Sequence, residues 1–138
     1  MDFPSLNYLA ILVSGVLYMI VGALWYSSML FAKPWMKLVG LTEEKLMMDK
    51  NAMMKTYFFS FLSSLVTAFV LDYFLTILGV SDPVEGAWFG FLAWLGFVTP
   101  VVLADVLYTK KPIKLYLINI GYPLVYFVLM GILLAIWG

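Results

Sequence analysis

Two aspartates, one asparagine and a few serines are the side chains of this 138-residue sequence that could do chemistry inside its long apolar runs. Asp72 and Asp105 matter most, because a carboxyl at the centre of a bilayer costs roughly 2.5 to 3.5 kcal/mol on insertion scales and usually has a task. Asp105 stands five residues before Lys110, Ser28 five before Lys33, Ser60 five after Lys55 and Asn119 five after Lys114. One polar group from each apolar run thus reaches the same depth, about 7 Å beneath a ring of lysines at the helical rise. If all four face one axis, they form a polar pocket with Asp105 as its charge, extended by Tyr26, Ser27, Ser63, Ser64 and Thr67. The alternative is ordinary hydrogen bonding between helices, at about 0.6 kcal/mol per contact. Asp72 lies about 140° around its helix from Thr67, in the other half of the membrane near Ser14 and Thr76. It reads either as a protonatable acid on a transport path or as a carboxyl satisfied by a neighbouring hydroxyl.

The residues that are missing narrow the chemistry further. The chain has no cysteine, histidine or arginine, which removes thiol and imidazole catalysis, Cys/His metal sites, disulfides and arginine clamps on phosphate or nucleic acid. Carboxylate, tyrosine and lysine chemistry remain, so an enzyme or binder for a lipophilic substrate ranks last and no cofactor is expected. The pairs Met47-Met48 and Met53-Met54 could offer thioethers to Cu(I), but without Cys or His beside them they read as adaptable packing.

The elements that hold these groups follow from hydropathy. With 64% hydrophobic and 12% charged residues and a mean hydropathy of +1.01, the chain has too little polar cover for water. A hydrocarbon core of ~30 Å takes about 20 helical residues. Four runs reach that length, at about residues 6–31, 56–78, 84–108 and 113–137, with a polar segment at 32–55. The expected fold is an all-α integral membrane bundle of four helices, arranged as two hairpins in one domain spanning 1–138.

All eight lysines fall in the first connection (Lys33, Lys37, Lys45, Lys50, Lys55) or the third (Lys110, Lys111, Lys114). The N-terminal tail and second connection carry only Asp2, Asp82 and Glu85. By the positive-inside rule both lysine connections are cytoplasmic and both termini lie outside. The start does not read as a cleavable signal, because Asp2 replaces the basic region and the apolar run is too long. Such a lysine bias also excludes antiparallel dual-topology dimers. Trp and Tyr near the ends of runs, Trp25, Tyr26, Trp35, Tyr116 and Trp137 among them, read as interfacial anchors, with ligand stacking by Trp25 or Trp94 as the alternative.

Within 40–55, Thr42 can cap a helix whose first turn holds Glu43 and Glu44. Leu46, Met47, Met53, Met54 and Tyr57 share one side, predicting an amphipathic cytoplasmic helix between the first two spans. Small residues mark close helix contacts: Gly86, Gly90, Ala93 and Ala104 on the third span, Gly15 and Gly22 on the first, and Gly131 with Ala135 on the fourth. Pro100 and Pro123 predict bends inside the third and fourth spans. Lys33-Pro34 and Lys111-Pro112 open the two lysine connections alike, as a parallel duplication of one hairpin would.

The stretches Asn7-Tyr8-Leu9-Ala10, Gly22-Ala23-Leu24-Trp25-Tyr26-Ser27, Phe31-Ala32-Lys33-Pro34-Trp35, Gly40-Leu41-Thr42-Glu43-Glu44 and Leu117-Ile118-Asn119 with Gly121-Tyr122 resemble the bacterial membrane family called domain of unknown function 1761. Ser28 stands where the family pattern has proline, and Ala32 where it has glycine. The resemblance implies a small four-span protein and no particular activity. The partners expected are the lipid bilayer and either further copies of the chain or another membrane protein, with no nucleic acid. The functions weighed are a non-catalytic oligomeric or accessory module, and a small-solute or proton-coupled transporter using Asp72 or Asp105. Four-span multidrug exporters carry an acid in their first span, which this chain lacks.

Overall fold

A computed structural model describes residues 4–27, 32–40 and 50–137, all helix or connection with no strand among them. α1 spans Tyr8–Trp25, α2 Ala32–Val39 and α3 Lys50–Ile77. α4 spans Pro83–Ala93, a π-helical turn Trp94–Val98, α5 Thr99–Thr109 and α6 Ile113–Trp137. α1, α3, the run α4–π–α5 and α6 are each long and apolar enough to cross a bilayer, with mean hydropathies of 1.8 to 2.1 in their most apolar windows. The chain is a four-span membrane protein.

Local chemistry sets the ends. Asn7 caps α1, its Oδ1 accepting the Ala10 N–H at 3.1 Å. α1 stops at Trp25, earlier than the expected 31, because the chain turns at Tyr26 and the Ser27 hydroxyl donates back to the Leu24 carbonyl at 2.7 Å. α3 closes through Gly79, at φ +70°, with Val80 N–H donating to Leu75 and Gly79 N–H to Thr76. Asp82 caps α4, with Pro83 in its first turn and Glu85 at its positive end. Lys110 ends α5 in the left-handed region, at φ 57°.

Between the first two spans a short amphipathic helix forms at Ala32–Val39, ahead of the segment 40–55 where one is expected. Lys33 and Lys37 sit one turn apart on its exposed side, and Ala32 is buried. Of the expected segment, residues 41–49 lie outside the described residues. Residues 50–57 form the start of α3, whose 28 residues rise about 42 Å and so overshoot the hydrocarbon core.

α6 runs through the middle, with Tyr126, Met130 and Leu134 almost wholly buried. α1 packs antiparallel on α3 and also on α6, and α4 packs along α6. The two hairpins are therefore α1 with α3 and α4–α5 with α6. A two-fold duplication would also pair α3 with the third span as closely as α1 pairs with α6. That pairing is sparse, and an apolar groove of about 280 Å³ lies there, lined by Leu71, Phe74, Leu78, Phe89, Leu92 and Phe97.

Candidate functional site

The lysine-bearing half of the bundle is held by aromatic side chains aimed at one face of α6. Asn119, Tyr122, Tyr126 and Met130 recur at helical spacing on that face. The Tyr26 hydroxyl donates to Asn119 Oδ1 at 2.9 Å, Tyr122 to the Tyr18 carbonyl at 3.0 Å and Tyr126 to the Ser64 carbonyl at 3.2 Å. The rings form one cluster: Tyr18 meets Tyr126 edge-on at 4.8 Å and Tyr122 at 5.0 Å, Tyr26 meets Tyr122 at 5.8 Å, and Trp35 of α2 closes on Tyr26 at 5.2 Å. Each such pair contributes about 0.5 to 1.5 kcal/mol. These tyrosines join α1, α2, α3 and α6. Reading tyrosine only as an interfacial anchor hides them; the spacing of Asn119, Tyr122 and Tyr126 is the signal that exposes them.

The expected polar pocket is distributed differently. Asn119 faces Tyr26, and Ser64 is buried, its hydroxyl turned back to the Phe61 carbonyl at 2.6 Å. Ser60 is half-buried on α3, one turn nearer the lysine-bearing end. Ser28 lies outside the described residues. Asp105, expected as the charge of the pocket, is more than half exposed and pairs with Lys111 at 3.3 Å. It sits one helical turn before Thr109, whose hydroxyl donates to the Asp105 carbonyl at 2.6 Å, and its carboxylate lies on the outside of the bundle beside the lysine turn.

Two indoles bind the fourth span near its proline, one from the irregular stretch of the third span and one from α1. Pro100 has no N–H to give, and the helix before it widens so that Thr99 N–H reaches Trp94 O. The Thr99 hydroxyl donates to the Leu95 carbonyl at 2.7 Å. From this turn Trp94 Nε1 donates to the Ile120 carbonyl at 2.8 Å, and from α1 Trp25 Nε1 donates to Ile118 at 2.9 Å, both within a turn and a half of Pro123. Tyr116 donates in return to the Thr99 carbonyl at 3.1 Å. Trp25 and Trp94 thus act here as hydrogen-bond donors to backbone. Gly121 leaves room for the Trp25 ring, since a Cβ there would stand 2.5 Å from Cζ2.

The glycines sit where helices touch. A Cβ on Gly15 would come within 2.7 Å of Leu65, and one on Gly22 within 3.1 Å of the Tyr122 hydroxyl. Gly86 and Gly131 face each other backbone to backbone, and a Cβ on Gly90 would collide with the Phe127 carbonyl. Packing this close needs glycine on both helices.

Asp72 is 1% exposed, in the half of the bundle away from Lys33, Lys37, Lys110 and Lys111. The Asn7 backbone N–H and the Thr76 hydroxyl face its carboxyl, yet neither oxygen makes a hydrogen bond of full geometry. Ser14, wholly buried on α1, also has an unpartnered hydroxyl oxygen. It packs about seven residues further along the antiparallel pair, level with Leu65, so the two groups are separate. Among the described residues no three His, Cys, Asp or Glu side chains cluster as metal ligands would.

No curated protein and no solved structure matches the chain. The model of one family, described as protein of unknown function (DUF1761), matches residues 9–135. With that match covering nearly the whole chain, over the same four spans, the protein belongs to the DUF1761 family.

Proposed function

We propose that the protein is a non-catalytic membrane module that works by assembling, most directly with further copies of itself. It would sit in a bacterial inner membrane with the lysine-bearing end in the cytoplasm and both termini outside. The eight-to-zero lysine split supports that orientation. The observation that carries the assembly reading is the sparse packing of the third span. Only 11% of its most apolar window is buried inside the chain, against 28 to 33% for the other three spans. Along its free side Gly96, Pro100 and Ala104 follow one another at four-residue spacing, beside Phe97 and Val101, and small residues at this spacing suit close helix contact in lipid. The polar groups of the interior, by contrast, are largely spent on bonds between the chain's own helices. Chemical crosslinking in lipid vesicles tests this reading: a defined oligomer supports it, and a strictly monomeric protein that co-purifies with nothing overturns it.

One observation favours a second reading, a small-solute or proton-coupled transporter. The buried, incompletely partnered carboxyl of Asp72 is the kind of group such a mechanism uses. Proteoliposome flux that Asp72→Asn abolishes and Asp105→Asn leaves intact would support it. Flux unaffected by either change, or no flux at all, would remove it.

A further inference from the structure

α3 and the third span are joined by the short connection at 78–82 yet touch only sparsely, which leaves the groove of about 280 Å³ between them. Its floor is Leu71 and Leu75, both buried, and its rims are Phe74 and Leu78 on α3 and Leu92 and Phe97 on the third span, all exposed. Every lining side chain is apolar. The groove runs from Leu71 to Leu78 on one wall and from Phe89 to Phe97 on the other, about 10 to 12 Å at the helical rise, so it fits within one leaflet of a ~30 Å core. A carboxylate stands over its end. Glu85 lies one turn before Phe89 and two before Leu92 on the same stripe of α4, in the first turn of the span, and its side chain is exposed. Asp82 beside it is committed to capping, its Oδ2 accepting the Glu85 N–H at 3.1 Å. Lys33, Lys37, Lys55, Lys110, Lys111 and Lys114 all belong to the opposite end of the spans.

We propose that this groove holds one acyl chain of a phospholipid whose headgroup carries an ammonium, as phosphatidylethanolamine does, with the ammonium against Glu85. Size decides between a lipid chain and a second copy of the protein. A transmembrane helix is about 10 to 12 Å across with its side chains and would take on the order of 1,000 Å³ over this length, whereas the groove offers about 280 Å³, room for a hydrocarbon chain. Charge decides among headgroups. In lipid an apolar groove gains nothing from the hydrophobic effect over the surrounding tails, so packing seats the chain and selection falls to the headgroup. Glu85 attracts an ammonium and repels the excess negative charge of an anionic headgroup. The site belongs to a single chain and stands whether or not the bundle assembles or transports.

Native mass spectrometry of the full chain in mild detergent, with phosphatidylethanolamine and phosphatidylglycerol of identical acyl chains added in equal amounts, tests the site. Ala93 also lines the groove, and Ala93→Phe fills it. Groove-bound lipid is the fraction this variant loses, which sets aside anionic lipid held by the lysines at the other end. That fraction should amount to one phospholipid per chain and favour phosphatidylethanolamine about fivefold, the worth of one exposed ion pair. Glu85→Gln should bring the ratio close to one without abolishing binding. If Ala93→Phe does not fold, Leu92→Trp at the exposed rim takes its place. Lipid retention that neither filling variant lowers, equal retention of the two headgroups, a preference that survives Glu85→Gln, or a lipid-free dimer that Ala93→Phe breaks would overturn the proposal.

Discussion

Replacing Gly131 by alanine puts one methyl group where α6 and α4 meet backbone to backbone. The added Cβ would overlap the Gly86 carbonyl oxygen and stand 3.4 Å from Gly90 Cα. Neither neighbour is a side chain that could rotate away, so the helices must part by about an ångström to restore van der Waals distance. That separation loosens the contacts of Gly86 and Gly90 together, because both press the same stretch of α6 between Phe127 and Ala135. Overpacking of this kind costs about 1 to 3 kcal/mol. Alanine favours a helix over glycine by up to about 1 kcal/mol, which offsets part of it. The net expectation is a loss of about 1 to 2 kcal/mol. The assay is unfolding by sodium dodecyl sulfate from mild-detergent micelles, followed by tryptophan fluorescence. Gly96→Ala is the control within one chain: this glycine lies on the same span as Gly86 and Gly90, a Cβ added to it would meet nothing of its own chain within 4 Å, and in micelles dilute enough to hold the protein as a monomer the change should be neutral or slightly stabilising. Equal stability of Gly131→Ala and Gly96→Ala would refute the close α4–α6 contact.

Three further outcomes follow from the hydrogen bonds. Trp94→Phe removes the donor to Ile120 and should cost about 0.6 kcal/mol and at most about 1.7, measured by the same unfolding assay; a double-mutant cycle with Tyr116→Phe should show coupling, since both bonds tie the π turn to α6. Tyr126→Phe should lose about as little, whereas Tyr126→Ala, which empties a wholly buried ring position, should lose about 3 kcal/mol or more. Asp105→Asn should change stability by less than about 1 kcal/mol, because its ion pair with Lys111 is roughly half exposed on both sides.

The four spans, their lengths and their glycine faces are legible in the sequence because hydropathy and small-residue spacing are local, additive signals. Apolar runs of twenty residues leave few other folds open once lipid is the solvent. The end of α1 is less legible: nothing in the apolar run marks Trp25 as its last residue, and the turn depends on Tyr26 reaching Asn119, 93 positions away. The helix at Ala32–Val39 escapes a local reading for a related reason, since Trp35 is drawn to the Tyr26 ring and orders that segment. Depth arithmetic places Asp105 at the level of Asn119 but says nothing about azimuth, and rotation around the helix turns it out of the bundle, where its carboxyl meets Lys111. Asp72 needs both halves of the picture. Its place in an apolar run announces a costly group, and only the packing of α1, α3 and α6 reveals that two oxygens stay without full partners.

The absence of native cysteine makes the decisive measurement direct. Single cysteines at Phe97, Val101 or Tyr108 on the third span, and at Phe59 or Val66 on α3, can be oxidised in native membranes and read by non-reducing electrophoresis. All five positions are exposed on the isolated chain. Assembly through the third span predicts disulfide-linked dimers at one or more of the first three positions and none at the other two. No dimer at any third-span position, or equal dimer at every position, would contradict it.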